Sequence, residues 1–170
     1  MRKRTLLSLM ALAPVLSACG FRLRGAPSFP FSSLYLQAPE GSPLTREVLR
    51  NLATAGSSLT VVLPPAATGT ADVTLRLLGE RRQRVVLAKT VSGQVREVEL
   101  RLNARFSLTD KEGRVWIEDT ELSQKRDMSY SESLALAKDE EEAMLYRNMY
   151  GDMAQQIVRR LTAVRPPASE

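Results

Sequence analysis

The sequence contains no histidine and a single cysteine, Cys19. Without histidine there is no His–carboxylate triad, no Cys–His pair and no imidazole metal site. With one cysteine there is no disulfide within the chain, so stability has to come from a packed core. Neither Gly-x-x-x-x-Gly-Lys nor Gly-x-Gly-x-x-Gly occurs, which removes two glycine-rich phosphate cradles. No apolar run reaches the roughly 20 residues that a membrane-spanning helix needs. The remaining acid clusters are Glu118-Asp119 and the run 139–142. Neighbouring strand residues point to opposite faces, so the first cannot act as a pair. The second reads as a helix N-terminus, where carboxylates oppose the macrodipole. The chain is therefore expected to be no enzyme, with no resident cofactor and no metal.

What is present begins with Met1-Arg2-Lys3-Arg4, followed by an apolar stretch from Leu6 to Leu16. A basic start and a short apolar segment form a secretory signal. It ends in Leu16-Ser17-Ala18-Cys19, similar to a bacterial lipobox: a branched residue, two small residues, then the cysteine that is acylated. Small side chains let the backbone enter the narrow site of the signal peptidase. Residues 1–18 are expected to be removed, and Cys19 to carry an S-diacylglycerol and an N-acyl chain. Each buried CH2 yields roughly 0.8 kcal/mol, so several chains make a stable anchor. Gly20, rather than Asp, follows the cysteine, which points to the outer membrane.

The chain has 24 basic and 19 acidic residues. Three of the basic ones lie in the signal, so the mature net charge falls to +2. The basicity of the precursor is largely a targeting feature and gives no reason to expect a nucleic-acid partner.

Residues 19–33 are rich in Pro, Gly and Ser and read as a flexible lipidated leader. Residues 34–165 read as one domain, and 166–170 as a disordered tail. Leu34 to Ala38 is a short strand. Ser42 suits an N-cap and Pro43 the first helical position, and Leu44, Val48 and Leu52 make an apolar stripe, so a helix is expected near 43–55. Leu59 to Leu63, stopped by Pro64-Pro65, is at best a short edge strand. Ala71 to Leu78 alternates. From Val98 to Leu108 the alternation is strict, which means a long strand with one buried face. Arg114 to Arg126 returns beside it after a turn at 109–113. Between the first two of these strands, Arg81-Arg82-Gln83-Arg84 and Thr90 to Gln94 read as a basic, turn-containing connection. Ala143, Tyr146, Tyr150, Met153, Ile157 and Leu161 make a helical stripe. Gly151 within it suggests close packing there, or nothing functional at all. The order β-α-(β)-β-β-β-α predicts a two-layer α/β (α+β) sandwich, an about four-stranded mixed or antiparallel sheet with two helices on one face.

Basic residues are the candidate ligand contacts. Arg81, Arg82, Arg84 and Lys89 cluster around the connection; Lys125, Arg126 and Lys138 cluster near the other end of the sheet. Such groups are either solvated surface or a site for an anion, bound through charge-assisted hydrogen bonds.

Several segments together resemble the LptE family of lipopolysaccharide-assembly lipoproteins. Cys19-Gly20-Phe21-Arg22-Leu23-Arg24-Gly25 is similar to the family's mature start. Glu118 to Ser123 and Ala135-Leu136-Ala137-Lys138-Asp139-Glu140 are similar to two internal segments. The most specific piece is Met149-Tyr150-x-Asp152-x-Ala154-x-Gln156-Ile157-x-Arg159-Arg160-Leu161. The resemblance covers essentially all of 19–163. It implies a complex with the outer-membrane β-barrel LptD, which the lipoprotein plugs. It also implies binding of lipopolysaccharide and help with its insertion into the outer leaflet. Lys138 matches a basic position linked to lipopolysaccharide binding. The second basic position falls near Ser92-Gly93-Gln94, where Val91 stands; Lys89 or Arg84 would serve, with Arg82 as a further candidate. Two other readings stay open from the sequence: an accessory lipoprotein of another envelope lipid transporter, and a structural tether.

Overall fold

A computed structural model describes residues 28–55, 59–67 and 69–167. The signal, Cys19 and the segment that resembles the family's mature start lie outside the described residues, as do 168–170 of the tail.

Strand β1 (Ser33–Gln37) leads into helix α1 (Pro43–Thr54). The Ser42 hydroxyl accepts from the Thr45 amide at 3.0 Å, and Pro43 opens the helix, as their residue types predict. Leu44, Val48 and Leu52 are each at most 1% exposed. Strand β2 (Thr60–Val62) is the short edge strand anticipated from 59–63.

Three long strands follow, β3 (Val73–Lys89), β4 (Val95–Asp110) and β5 (Val115–Ser129). A 3-10 turn (Glu132–Leu134) then enters helix α2 (Ala135–Ala163). The sheet has five strands in the order β2-β1-β3-β4-β5. β1 runs parallel to both neighbours, and β3, β4 and β5 are antiparallel. This is the mixed α+β sandwich expected, with β2 as the fifth strand.

The strict alternation of β4 holds in space. Val98, Leu100, Leu102, Ala104, Phe106 and Leu108 are all buried beneath the helices. Their partners at odd positions, such as Arg101 opposite Lys125 and Arg105 opposite Glu121, form a charged outer face. From α2 the core takes Tyr146, Met149, Tyr150, Met153, Ala154, Ile157, Val158 and Leu161.

Two sequence expectations are corrected, and one alternative is removed. The basic segment 81–84 is not a turn-containing connection but the middle of β3, which continues to Lys89 before the tight turn at 90–94. What hid this is a bulge. Leu77 pairs with Phe106 but Gly79 with Arg105, so Leu78 is one residue too many on its strand. Gly79 takes φ +134°, a backbone region closed to most side chains. Before the bulge, Val73, Leu75 and Leu77 face the helices; beyond it, Glu80, Arg82 and Arg84 do. An apolar-alternation test therefore loses the strand at its bulge.

Helix α2 starts at Ala135, not at the acidic run 139–142, which lies one turn in. Ala135-Leu136-Ala137-Lys138 are strong helix formers and simply extend it. Its apolar stripe starts at Tyr146, since Ala143 is exposed. The first eleven residues of α2 thus overhang the sheet without a buried side chain. Finally, Gly151 is not explained by close packing: a Cβ there would meet nothing within 4 Å.

The described end of the 19–33 leader is packed. Phe31 is buried, 6.2 Å from Trp116 and 5.5 Å from Phe29 by ring centres. One oxygen of Asp72 accepts from the amides of Ser32 and Ser33, each at 2.9 Å, and from the Ser32 hydroxyl at 2.7 Å. The Ser32 hydroxyl and amide, then Ser33, hold the Asp72 carboxyl down at about 2. Asp110 sits in a similar cage. Burial alone would raise it, but the Trp116 indole, the Arg114 amide and the Arg114 guanidinium hold it below the usual range.

Candidate functional site

The bulge in β3 decides where the cations go. Past it, Glu80 meets the start of α1, accepting from the Leu44 amide at 3.2 Å and the Ser42 hydroxyl at 3.1 Å. A carboxylate there is favoured by the helix dipole. Two residues on, the guanidinium of Arg82 lies over the rings of Tyr146 and Tyr150, 5.0 Å from each centre. Its Nε donates to the Tyr150 hydroxyl at 2.8 Å. Burial raises the pKa of both tyrosines, so they stay neutral donors and acceptors. Two further on, Arg84 stacks 4.4 Å from the centre of the Tyr130 ring and pairs with Glu142 at 3.4 Å. A cleft of about 450 Å³ opens between this stretch of β3 and the overhanging turns of α2, with Arg82 and Arg84 on one wall and Asp139 and Glu142 on the other.

Lys138 lies in the first turn of α2 rather than in a loop before it. Its ammonium donates to the Ser129 hydroxyl at 3.1 Å and to Glu141 at 2.8 Å, and its side chain is 16% exposed. Lys89 ends β3 opposite Val95 and is exposed. Ser129, the contact of Lys138, pairs with Glu97 on β4. Lys89 and Ser129 therefore lie at one end of the sheet, two strand spacings apart, about 10 Å. Exposed apolar residues share that end: Val86, Leu87, Val91, Leu134 and Leu136.

The structure thus unites Arg84, Lys89 and Lys138 toward one end and places Arg82 one step inward. It separates the other basic residues. Arg81 points to the outer face, beside Asn103, Arg105 and Glu121. Lys125 faces Glu99 there, and Arg126 is paired with Asp152 of α2 at 2.9 Å. Sequence reasoning missed Tyr130, Ser129 and Glu142 as partners of the cations. It read Tyr146 and Tyr150 as core alone, although both are buried and also hold Arg82. Among the described residues no group of three or more potential metal ligands occurs.

This architecture recurs in known proteins. A family model described as lipopolysaccharide-assembly, LptE, matches residues 31–161, the whole sheet, α1 and all but the last two residues of α2. The chain belongs to the LptE family. A relative named LPS-assembly lipoprotein LptE, from Photorhabdus laumondii, is 30% identical over 96% of this chain and 88% of its own length. The solution structure of an uncharacterized lipoprotein B from Nitrosomonas europaea superposes with a TM-score of 0.68 at 28% identity, covering 85% of this chain and 91% of that one. The crystal structure of rare lipoprotein B from Shewanella oneidensis gives 0.65 at 25% identity, covering 77% and 94%. The LptE fold is therefore shared along nearly the whole described chain, including the β3–α2 layer that carries the cations.

Proposed function

We propose that this LptE-family chain is a non-enzymatic outer-membrane lipoprotein, anchored through lipid on Cys19, that forms a complex with the β-barrel LptD. In that complex it plugs the barrel, binds lipopolysaccharide and assists its insertion into the outer leaflet. The family match over 31–161 carries the reading. The chemistry at the Lys89 and Lys138 end supports it. Lipopolysaccharide joins phosphates to acyl chains, and that end carries the exposed ammonium of Lys89 and the half-buried, Glu141-paired one of Lys138 beside exposed Val91, Leu134 and Leu136. A purely structural tether has no use for solvent-facing leucine and valine next to cations, since such patches mark interaction surfaces. The lumen of a barrel suits a sheet extended by three long strands whose outer face is charged, because barrel interiors of this kind are polar.

Copurification from detergent-solubilised outer membrane tests the reading. A large heat-modifiable barrel retained with the wild-type chain is the expected result. Recovery of inner-membrane transporter subunits instead would move the chain to another envelope lipid transporter. Mass spectrometry of the same preparation is expected to show a triacylated N-terminal peptide beginning at Cys19, and no such peptide from Cys19→Ser.

A further inference from the structure

The cleft between β3 and the overhanging turns of α2 is unlike the Lys89 and Lys138 end, because its walls carry opposite charges. Arg82 and Arg84 come from the strand, Asp139 and Glu142 from the helix. A single ion pair spans it, Arg84 to Glu142, at 3.4 Å. Asp139 has no basic partner within 4 Å among the described residues, and Arg82 has no acidic one. Arg82 is held by aromatic faces and one hydroxyl, which occupy its plane and its Nε. Its terminal N–H groups remain for a further acceptor, because guanidinium has five donors. Ala143 contributes only a methyl group to the floor, so the volume stays open.

We propose that this cleft binds a phosphate ester that carries a free amine, with the phosphate on Arg82 and Arg84 and the ammonium on Asp139 and Glu142. A simple anion would satisfy one wall and leave Asp139 and Glu142 facing a second negative charge. A simple cation would do the reverse. A zwitterion with its charges a few bonds apart complements both walls. Entry requires only that the Arg84–Glu142 pair be exchanged for ligand contacts. A partly exposed pair of this kind is weak, because solvent screens it, so the exchange is cheap. The stacking of Arg84 on Tyr130 keeps the guanidinium on its wall while Glu142 is displaced. Loss of that pair also frees the acidic side of the first turns of α2, which bury no side chain against the sheet.

The inference rests on reading Arg82 and Arg84 as anion contacts of the lipopolysaccharide-binding function, and it adds the amine. It is tested with phosphoethanolamine, ethyl phosphate and ethanolamine as probes against the intact mature protein in detergent, by saturation-transfer NMR of the probe. Phosphoethanolamine is expected to bind at least fivefold more tightly than either single-charge probe. Asp139→Asn should bring its affinity down to that of ethyl phosphate. Ala143→Leu, an exposed position whose longer side chain fills the floor, should abolish binding without changing the melting curve. Equal affinity for phosphoethanolamine and ethyl phosphate overturns the proposal, as does binding that survives Ala143→Leu. Lipopolysaccharide binding is measured on the same samples. If it persists where the wild type ignores phosphoethanolamine, the cleft proposal alone is lost. If phosphoethanolamine binds with the predicted selectivity and lipopolysaccharide does not, the cleft stands and the parent reading falls.

Discussion

Arg82 on β3 donates to the hydroxyl of Tyr150 on α2, 68 residues later, at 2.8 Å, with its guanidinium 5.0 Å from the centres of that ring and of Tyr146. The contact joins the two layers at the point where the apolar core gives way to the charged cleft. Arg82→Ala removes two cation–π contacts, each worth about 0.5–2 kcal/mol, and one hydrogen bond of about 1 kcal/mol. A loss of about 2 kcal/mol in unfolding free energy is expected from urea titration. Arg82→Lys should recover only part of it, since an ammonium cannot stack on two rings and donate sideways as well. A variant as stable as wild type would show that the clasp contributes nothing.

Leu102 and Ile157 are both 0% exposed, one at the centre of β4 and the other on the buried stripe of α2. Leu102→Asp or Ile157→Asp places a carboxylate in the apolar core, at a cost of several kcal/mol even at position 102, where Arg82 is the cross-strand neighbour. Each is expected to abolish the cooperative thermal transition followed by circular dichroism.

Gly151 lies inside α2 with open space where a Cβ would be. Gly151→Ala is expected to raise stability by about 0.8–1 kcal/mol, the helix-propensity difference, because no neighbour resists the methyl group. A rise in melting temperature checks it; a fall would reveal a contact at this face.

Asp72 ties the N-terminal approach to β1 through Ser32 and Ser33. Its carboxyl is held at about 2, below the ordinary 3.8, so the folded state prefers the ionised form. The stability this supplies is therefore complete above pH ~4 and is lost as pH falls from there toward 2. Allowing for solvent screening, its size is about 1 kcal/mol. Asp72→Asn should flatten that part of the stability–pH profile while leaving the plateau at neutral pH lower. An unchanged slope between pH 4 and 2 would assign the acid sensitivity to other carboxylates.

Lys138→Asp combined with Lys89→Asp is expected to weaken lipopolysaccharide binding about tenfold, equivalent to roughly 1.4 kcal/mol. The fold should survive, since neither side chain belongs to the core. The counter-case is local: Lys138 is paired with Glu141, and the variant sets two acids three residues apart. Lys138→Gln with Lys89→Gln removes the cations without that repulsion. If the glutamine pair binds as tightly as wild type at low salt, Lys138 serves only to pin the start of α2 to Ser129.

Much of the fold was legible because long periods average over local exceptions. Val98 to Leu108 and Tyr146 to Leu161 each repeat one spacing often enough to fix an element and its buried face. Leu44, Val48 and Leu52 did the same for α1 with help from Ser42 and Pro43. The cation site was less legible, for two reasons. Leu78 breaks the alternation of β3 just before Glu80, Arg82 and Arg84, so the basic stretch looked like a connection. The partners of those arginines lie at least 46 residues away, at Tyr130, Glu142, Tyr146 and Tyr150, and no local pattern links them. Lys138 was recognised as a candidate residue but placed outside the helix, because the acidic run 139–142 drew the boundary to itself.

The extra residue at Leu78 makes β3 a strand read in two frames. With the bulge drawn straight and Leu78 kept in the ladder, Leu78 would pair with Arg105, carrying Arg81 and Gln83 under α2 and turning Arg82 and Arg84 outward. Arg81 would then stand where Arg82 does, and the amide of Gln83 where Arg84 does. No side chain has to change for this: the one unpaired residue beside Gly79 sets which side of the sheet carries which charge.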